Sequence, residues 1–372
     1  MTLIAAFEAD SFPVLLGDLT ISQMGAVRPS ISVPTRTDLS RLLPEDWLRS
    51  VVGLKRKIGK INDRIVYGWT GRFLAAKSIT KYLKEQIGYS EIDIGQLSRL
   101  IVSSDNWGNV ECTLIGWLIE GQETSSFKFD FRRQEISVQG HPYIEGSGAS
   151  DFSRYITGGT MGASRASNPV FSAVGKSLAQ AANVLGREIL WGQSLQNLYG
   201  GGMEVLFFYE GLFHQLDDVA YLFWTADIEN ERPVRLRFIP TLMRYKYLND
   251  ILIIETNRPE QVHAEKGGSL LHNRLEPYIV LPVYMDEISV GSALEYSLTN
   301  PNYLCNFVYV LVPDIGHMYL CFIFPNDIRK GMMEFRLANE GGEDELELSE
   351  KFQPFIERHI TRKIQDCKVG RL

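Results

Sequence analysis

A chain of 372 residues, with 45% apolar and 22% charged residues, can build two cores and has the composition of an ordinary protein folded in water. The formal net charge is −7, from 38 basic and 45 acidic residues. No Lys/Arg block is dense enough to track a phosphate backbone, which argues against nucleic acid as a partner.

The N-terminus has no basic leader segment and carries Glu8 and Asp10 where a signal peptide would be apolar. Asn306 to Pro325, the longest apolar stretch, is interrupted by Pro313, Asp314 and His317, so no membrane span is expected. Cys112, Cys305, Cys321 and Cys367 form no CxxC pair, and the six histidines show no ligand spacing. Neither a metal nor another cofactor is therefore indicated, and a reducing, cytoplasmic setting fits best.

In chain order, Thr2–Phe7 and Pro13–Gly17 read as two short strands about a polar turn. From 23 to 53 the pattern is lost, with Pro29, Pro34 and Pro44 in a Ser/Thr/Arg-rich run that reads as an inserted loop. Strands follow at Lys57–Ile61 and Arg64–Trp69. A helix at Phe73–Ile87 has Leu74, Ile79, Tyr82, Leu83 and Ile87 at roughly helical spacing, and a shorter helix is expected at Ile94–Val102. Strands at Glu111–Ile119, Ser126–Phe131, Glu135–Val138 and Tyr143–Ser147 come next, then a long helical pattern over Asn168–Leu190 with Pro169 in its first turn. Glu204–Tyr209 and Leu212–Leu216 complete this part as strands. Beyond Asp217 the texture turns to aromatic-rich strands, including Leu248–Glu255, Tyr278–Tyr284, Asn306–Val312 and Met318–Phe324, and the chain ends in an amphipathic helix around Phe355–Ile364. The pattern predicts a layered protein of helices and antiparallel sheets, with residues 1–216 as one domain and a β-rich second domain over 217–372.

Four motifs carry chemistry. Thr2 follows the initiator methionine, and removal of that methionine would leave a hydroxyl nucleophile and a free α-amine on one residue. Such an amine, with an ordinary pKa of about 7.7–8.0, can serve as the hydroxyl's general base. Asp18 stands sixteen residues on, at the end of the second strand. Lys57 opens the strand after the insertion, before Tyr67-Gly68-Trp69-Thr70-Gly71 and a helix. Glu145-Gly146-Ser147-Gly148 precedes another helical stretch.

In this order and spacing the chain resembles the proteasome β-subunits and their bacterial relatives, the N-terminal-nucleophile (Ntn) hydrolases, over residues 2–216. The resemblance implies an α+β fold, a four-layer αββα sandwich, here with an additional β-rich domain. It also implies a threonine-type peptidase or small-amide hydrolase in which Thr2 is the nucleophile and Asp18 and Lys57 are its buried partners. Of the neighbouring lysines, Lys55 and Lys60 compete with Lys57, but Lys60 lies three residues along the strand and so on the opposite face. Gly71 would supply an oxyanion-hole N–H and Ser147 would hold the terminal amine. Ser22 would contact substrate backbone, while Trp69 and Phe73 would line a pocket, although both suit a core as well. A peptide or small amide is the implied substrate. Homo-oligomerisation is expected because the relatives form rings, and the C-terminal domain offers a surface for a protein partner. Asn197 and Gly200 depart from the family's Asp and Ser ahead of Gly201-Gly202. That departure keeps open the alternative of an inactive scaffold or sensor.

Overall fold

The computed structural model describes residues 2–25, 31–40, 42–43, 49–102, 107, 110–138, 140, 142–157, 169–228, 234–236, 241–256, 262–264, 269–272, 276–286, 301–313, 315–325, 333–336, 345–348 and 351–368. Met1, Pro29, Pro44, a Gly-rich loop at 158–162 and part of an acidic run at 340–344 lie outside the described residues. The chain is a mixed α/β protein of several sheets.

The first half runs β1 (Ile4–Ala9), β2 (Phe12–Asp18), β3 (Thr20–Met24), β4 (Arg49–Leu54), β5 (Ile58–Asn62) and β6 (Ile65–Gly71), then α1 (Phe73–Ile87) and α2 (Ile94–Val102). It continues through β7 (Cys112–Glu120), β8 (Glu123–Asp130), β9 (Glu135–Val138), β10 (Tyr143–Glu145), α3 (Ala149–Thr157), α4 (Pro169–Trp191), α5 (Gln193–Gln196), β11 (Met203–Tyr209) and β12 (Leu212–Gln215). One sheet has the order β10-β1-β2-β11-β12 and a second the order β5-β6-β7-β8-β9.

Period-two alternation decides how these sheets stack. Ile4 and Ala6 of β1 join Leu15, Ile58, Val66, Ile115, Trp117 and Leu206 in a core between the two sheets. Leu3, Ala5 and Phe7 point the other way and pack on α4. On the far side of the second sheet, Ala76, Ile79, Leu83 and Ile87 of α1 and Leu97 and Ile101 of α2 cover Tyr67, Trp69, Leu114 and Phe129. Leu74, expected on the apolar face of α1, is 72% exposed. Its neighbours Phe73 and Ala76 face the sheet instead, so Leu74 falls on the outer side of the first turn.

The second half begins with β13 (Val219–Asp227), β14 (Arg235–Leu236), β15 (Thr241–Leu248) and β16 (Ile251–Thr256). Short strands β17 (Val262–Ala264), β18 (Ser269–His272) and β19 (Glu276–Val280) precede the long β20 (Tyr303–Val312) and β21 (Gly316–Pro325). β22 (Met333–Arg336), β23 (Glu345–Leu348) and α6 (Phe352–Lys368) close the chain. β19-β16-β15-β13-β20-β21 form one sheet, β14 pairing with β13, and β17-β18-β23-β22 form a small separate one. The expected strand Leu248–Glu255 corresponds to β16, starting too early by the turn and the last residue of β15. The chain reverses at Asn249, whose φ of +54° lies in the left-handed region that asparagine tolerates. The apolar pattern of β15 is interrupted in sequence by Arg244, which is buried in a pair with Asp218 at 2.6 Å.

This second sheet system packs on α4. Val219, Tyr221 and Phe223 of β13, with Met243, Tyr245, Ile254 and Phe307, share a core with Val174, Leu178 and Leu185 of α4. A Cβ on Gly186 would run into the Phe307 ring, so the helix approaches the sheet closely there. The alternate residues Ala220, Leu222 and Trp224 face α6, whose Phe352, Ile356, Ile360 and Ile364 recur every four residues. α4 is thus clamped between a sheet from each half, which explains why so much of its circumference is apolar.

The inserted loop begins and ends as a two-stranded ribbon, because β3 pairs with β4. Within it, Val33, Leu39 and Leu43 pack with Val51, Leu195 and Leu198, fastening the insertion to the α5 region.

Candidate functional site

The site is built by strand register. β1 and β2 are antiparallel with Ile4 opposite Gly17, which places Asp18 beside Leu3, and the Asp18 N–H donates to the Leu3 carbonyl at 3.0 Å. On the other side of β2, Met203 of β11 lies opposite Asp18. Asp18 therefore sits at the end of a central strand with neighbours on both sides, and it is fully buried.

Its carboxylate is satisfied to an unusual degree. Oδ1 accepts from the Thr2 hydroxyl at 2.7 Å, the Leu3 N–H at 2.8 Å and the Lys57 ammonium at 2.7 Å. Oδ2 accepts from the Thr20 hydroxyl at 2.8 Å, the Thr20 N–H at 3.3 Å and the Gly200 N–H at 2.8 Å. Lys57 comes from the facing sheet, immediately before β5, and its side chain is 1% exposed. Burial pulls the Lys57 ammonium below the usual lysine range, while the charge and hydrogen bond of Asp18 push the other way.

Thr2 is 2% exposed, and its carbonyl is wrapped by the turn that follows β10. The Gly148 N–H donates to it at 3.2 Å and the Ser147 hydroxyl at 3.5 Å. Gly146 has φ +99°, and a Cβ there would overlap the Thr2 carbonyl, so only glycine allows this approach. The structure thus brings Thr2, Asp18, Lys57 and Ser147 together. Ser147 touches the carbonyl of Thr2 at the long limit of a hydrogen bond, whereas the resemblance implied its amine.

The competing lysines go elsewhere. The Lys55 ammonium donates to the Met285 carbonyl at 2.9 Å, and Lys60 pairs with the exposed Asp63 at 3.1 Å. Gly71 ends β6 with φ +101°, hard against the Glu111 carbonyl, which by itself requires glycine. Trp69 is buried in the core under α1, and its indole N–H donates to the Arg56 carbonyl at 3.3 Å. Phe73 is half-buried and packs on Trp69 with ring centroids 6.2 Å apart. Ser22 lies at an irregularity in the β3–β4 ribbon. Asn197, one of the two departures, donates to Asp151 at 3.0 Å, as does the Tyr199 hydroxyl at 3.2 Å.

Sequence reasoning missed several partners. Thr20 carried a signal, a hydroxyl two residues past the key carboxylate. Gly200 carried the opposite of one: it departs from the family's Ser, yet it contributes its backbone N–H to Asp18. Glu188 lay unmarked in the long helical pattern. It is fully buried behind the Gly200-Gly201 turn, where the Gly201 N–H and the hydroxyls of Thr35 and Ser194 donate to it. Burial raises its carboxyl from 4.5 to about 7, and those three donors only partly counter the effect.

Among the described residues, no group of three His, Cys, Asp or Glu side chains could hold a metal ion. Cys112 is core, and burial pushes its thiol up to about 12, far from a reactive thiolate. No described helix is long and apolar enough to cross a membrane. No protein-family model matches the chain, and no curated protein sequence matches it significantly.

Proposed function

We propose that this chain is a proteasome-like Ntn hydrolase, a threonine-type peptidase or small-amide hydrolase that acts through Thr2 once the residue ahead of it is removed. One observation carries the reading: the Thr2 hydroxyl and the Lys57 ammonium share Asp18 Oδ1 at 2.7 Å each, out of contact with solvent. That geometry sets a cation beside the oxygen that would attack. The freed α-amine of Thr2 takes the hydroxyl proton as Oγ1 bonds to the amide carbon, and Lys57 stabilises the charge that develops. Collapse breaks the C–N bond, the amine leaves with that proton, and water then hydrolyses the ester. Asp18, held by five donors besides Lys57, keeps the ammonium aimed and charged until it is needed.

The packing order of α1 and α2, two facing sheets, then α4, supports the αββα arrangement of that superfamily for residues 1–216. The β-rich part from 217 onward is then an addition laid over α4. Peptide substrates and assembly into homo-oligomers belong to the same proposal.

A second reading, an inactive scaffold or sensor, is favoured by two particulars. Thr2 is only 2% exposed, and Asn197 is engaged with Asp151. The experiment that separates the two is intact mass together with labelling by a β-lactone. The hydrolase reading expects loss of the residue ahead of Thr2 and one label per chain, absent in Thr2→Ala and Lys57→Ala and retained in Lys60→Ala. A chain that keeps Met1, or a label that survives Thr2→Ala, would falsify it.

A further inference from the structure

Glu188 is the buried ionisable group that this mechanism leaves unused, and it is not placed at random. It projects from the last turns of α4 onto the Gly200-Gly201 turn. Consecutive peptides of that turn serve two different carboxyl groups: the Gly200 N–H donates to Asp18 Oδ2 at 2.8 Å and the Gly201 N–H to Glu188 Oε1 at 2.8 Å. Gly200 has φ +117°, and a Cβ on it would collide with Glu188 Oε2. The turn is therefore pressed between the two side chains, so its tilt depends on both.

The third connection is to the insertion. The Thr35 hydroxyl donates to the same Oε1, and the Arg36 guanidinium donates to the carbonyls of Glu188 at 3.2 Å and Ile189 at 2.8 Å. From α5, Ser194 donates to Oε2. The charged and titratable groups around Glu188 are thus Asp18 from β2, Arg36 from the insertion, bound to main-chain oxygens, and Tyr245 from β15. The Tyr245 hydroxyl accepts from the Met203 N–H at 3.1 Å. Among the described residues no ammonium or guanidinium is hydrogen-bonded to the Glu188 carboxyl itself. A negative charge there stands uncompensated next to that of Asp18.

We propose that Glu188, in its neutral form, is a positioning residue for the Asp18 site, setting the Gly200-Gly201 turn and reporting the state of the inserted segment through Thr35. Ionised Glu188 places a second negative charge beside Asp18. That charge raises the proton affinity of Lys57 and of the Thr2 amine, so the base form becomes scarcer. A carboxyl titrating near 7 makes this a change within the working pH range.

The inference rests on the Thr2 reading for its rate arm and is independent of it for its structural arm. The structural arm is glycine-selective ¹⁵N NMR of the full chain from about pH 5 to about pH 9. The Gly200 and Gly201 amide resonances should move together with a midpoint near 7, and stay fixed in Glu188→Gln. Thr35→Val, which removes a donor to the ionised form, should shift the midpoint upward. Flat resonances in the parent chain, or the same titration in Glu188→Gln, would overturn the proposal. A midpoint unmoved by Thr35→Val would overturn the link to the insertion.

The rate arm is β-lactone labelling across the same range. The rate of the parent chain relative to Glu188→Gln should fall about threefold or more between about pH 5 and about pH 7.5, where Glu188 has ionised and the Thr2 amine is still largely protonated. A constant ratio overturns the positioning role. If the amides titrate as stated and Thr2 labels in no variant, the hydrolase reading fails and the Glu188–Asp18 coupling stands.

Discussion

Asp18 and Glu188 are both fully buried carboxyl groups held by neighbouring peptides of one glycine turn, yet they are opposites electrostatically. Asp18 has an ammonium at 2.7 Å and five further donors, so its charge is fully answered. Glu188 has three neutral donors and no cation on its carboxyl, and burial raises it to about 7. Burial is the same in the two cases. What differs is the partner: an ammonium lies against Asp18, and only hydroxyl and peptide donors lie against Glu188.

The largest test of that contrast is Asp18→Asn. It strands the Lys57 ammonium in a site that is 1% exposed, and removing one member of a buried pair costs about 3–5 kcal/mol. The urea midpoint should fall accordingly, and a fall within error of zero would show that Lys57 escapes to solvent.

Glu188→Gln should act with the opposite sign and only above a threshold pH. The folded carboxyl titrates near 7 against an ordinary 4.5, so the folded state binds its proton more tightly than the unfolded chain does. The stability this confers is complete below about pH 4.5 and is lost as the pH rises through about 7. Glutamine does not lose it. The variant should match the parent near pH 4.5 and be more stable by on the order of 3 kcal/mol above pH 7, as read by denaturant unfolding at both pH values. An equal gap at both would mean that Glu188 is not the titrating group.

Thr20→Val is the next step down. It removes the hydroxyl donor at 2.8 Å to Asp18 Oδ2 while leaving the Thr20 N–H, and a hydrogen bond to a charged group is worth about 1.5–3 kcal/mol. The loss should appear in thermal unfolding, and it should be smaller than that of Asp18→Asn because the ion pair survives.

Lys60→Ala sets the floor. Its partner Asp63 has a side chain that is 70% exposed, and such pairs contribute about 0.2–1 kcal/mol, screened further by salt. A loss as large as that of Thr20→Val would contradict a weak, solvent-screened pairing of Lys60 with Asp63.

The difference between the two carboxyls also marks what could be read in advance. Asp18 was visible because it lies in a short strand pair, sixteen residues from Thr2, and hairpin register follows from local alternation and turn length. α1 and α2 were legible as helices because most of their apolar residues recur at helical spacing, Leu74 being the exception. Glu188 was invisible: one glutamate in a 23-residue helix looks like a solvated face. Arg244 in β15 reads the same way, since burial of a charge depends on a partner far away in the chain.

Sequence alone therefore determined many of the elements, among them β1, β2, α1, α2 and α4 but not β3, β4 or β15, together with the candidacy of Thr2, Asp18, Lys57 and Ser147. Only the tertiary structure decided that Lys57, rather than Lys55 or Lys60, reaches Asp18, that Gly200 contributes through its backbone, and that α4 is covered on both sides. The physical reason is range. Propensity and periodicity act over a few residues, whereas the protonation and pairing of a buried group depend on whichever distant elements close over it.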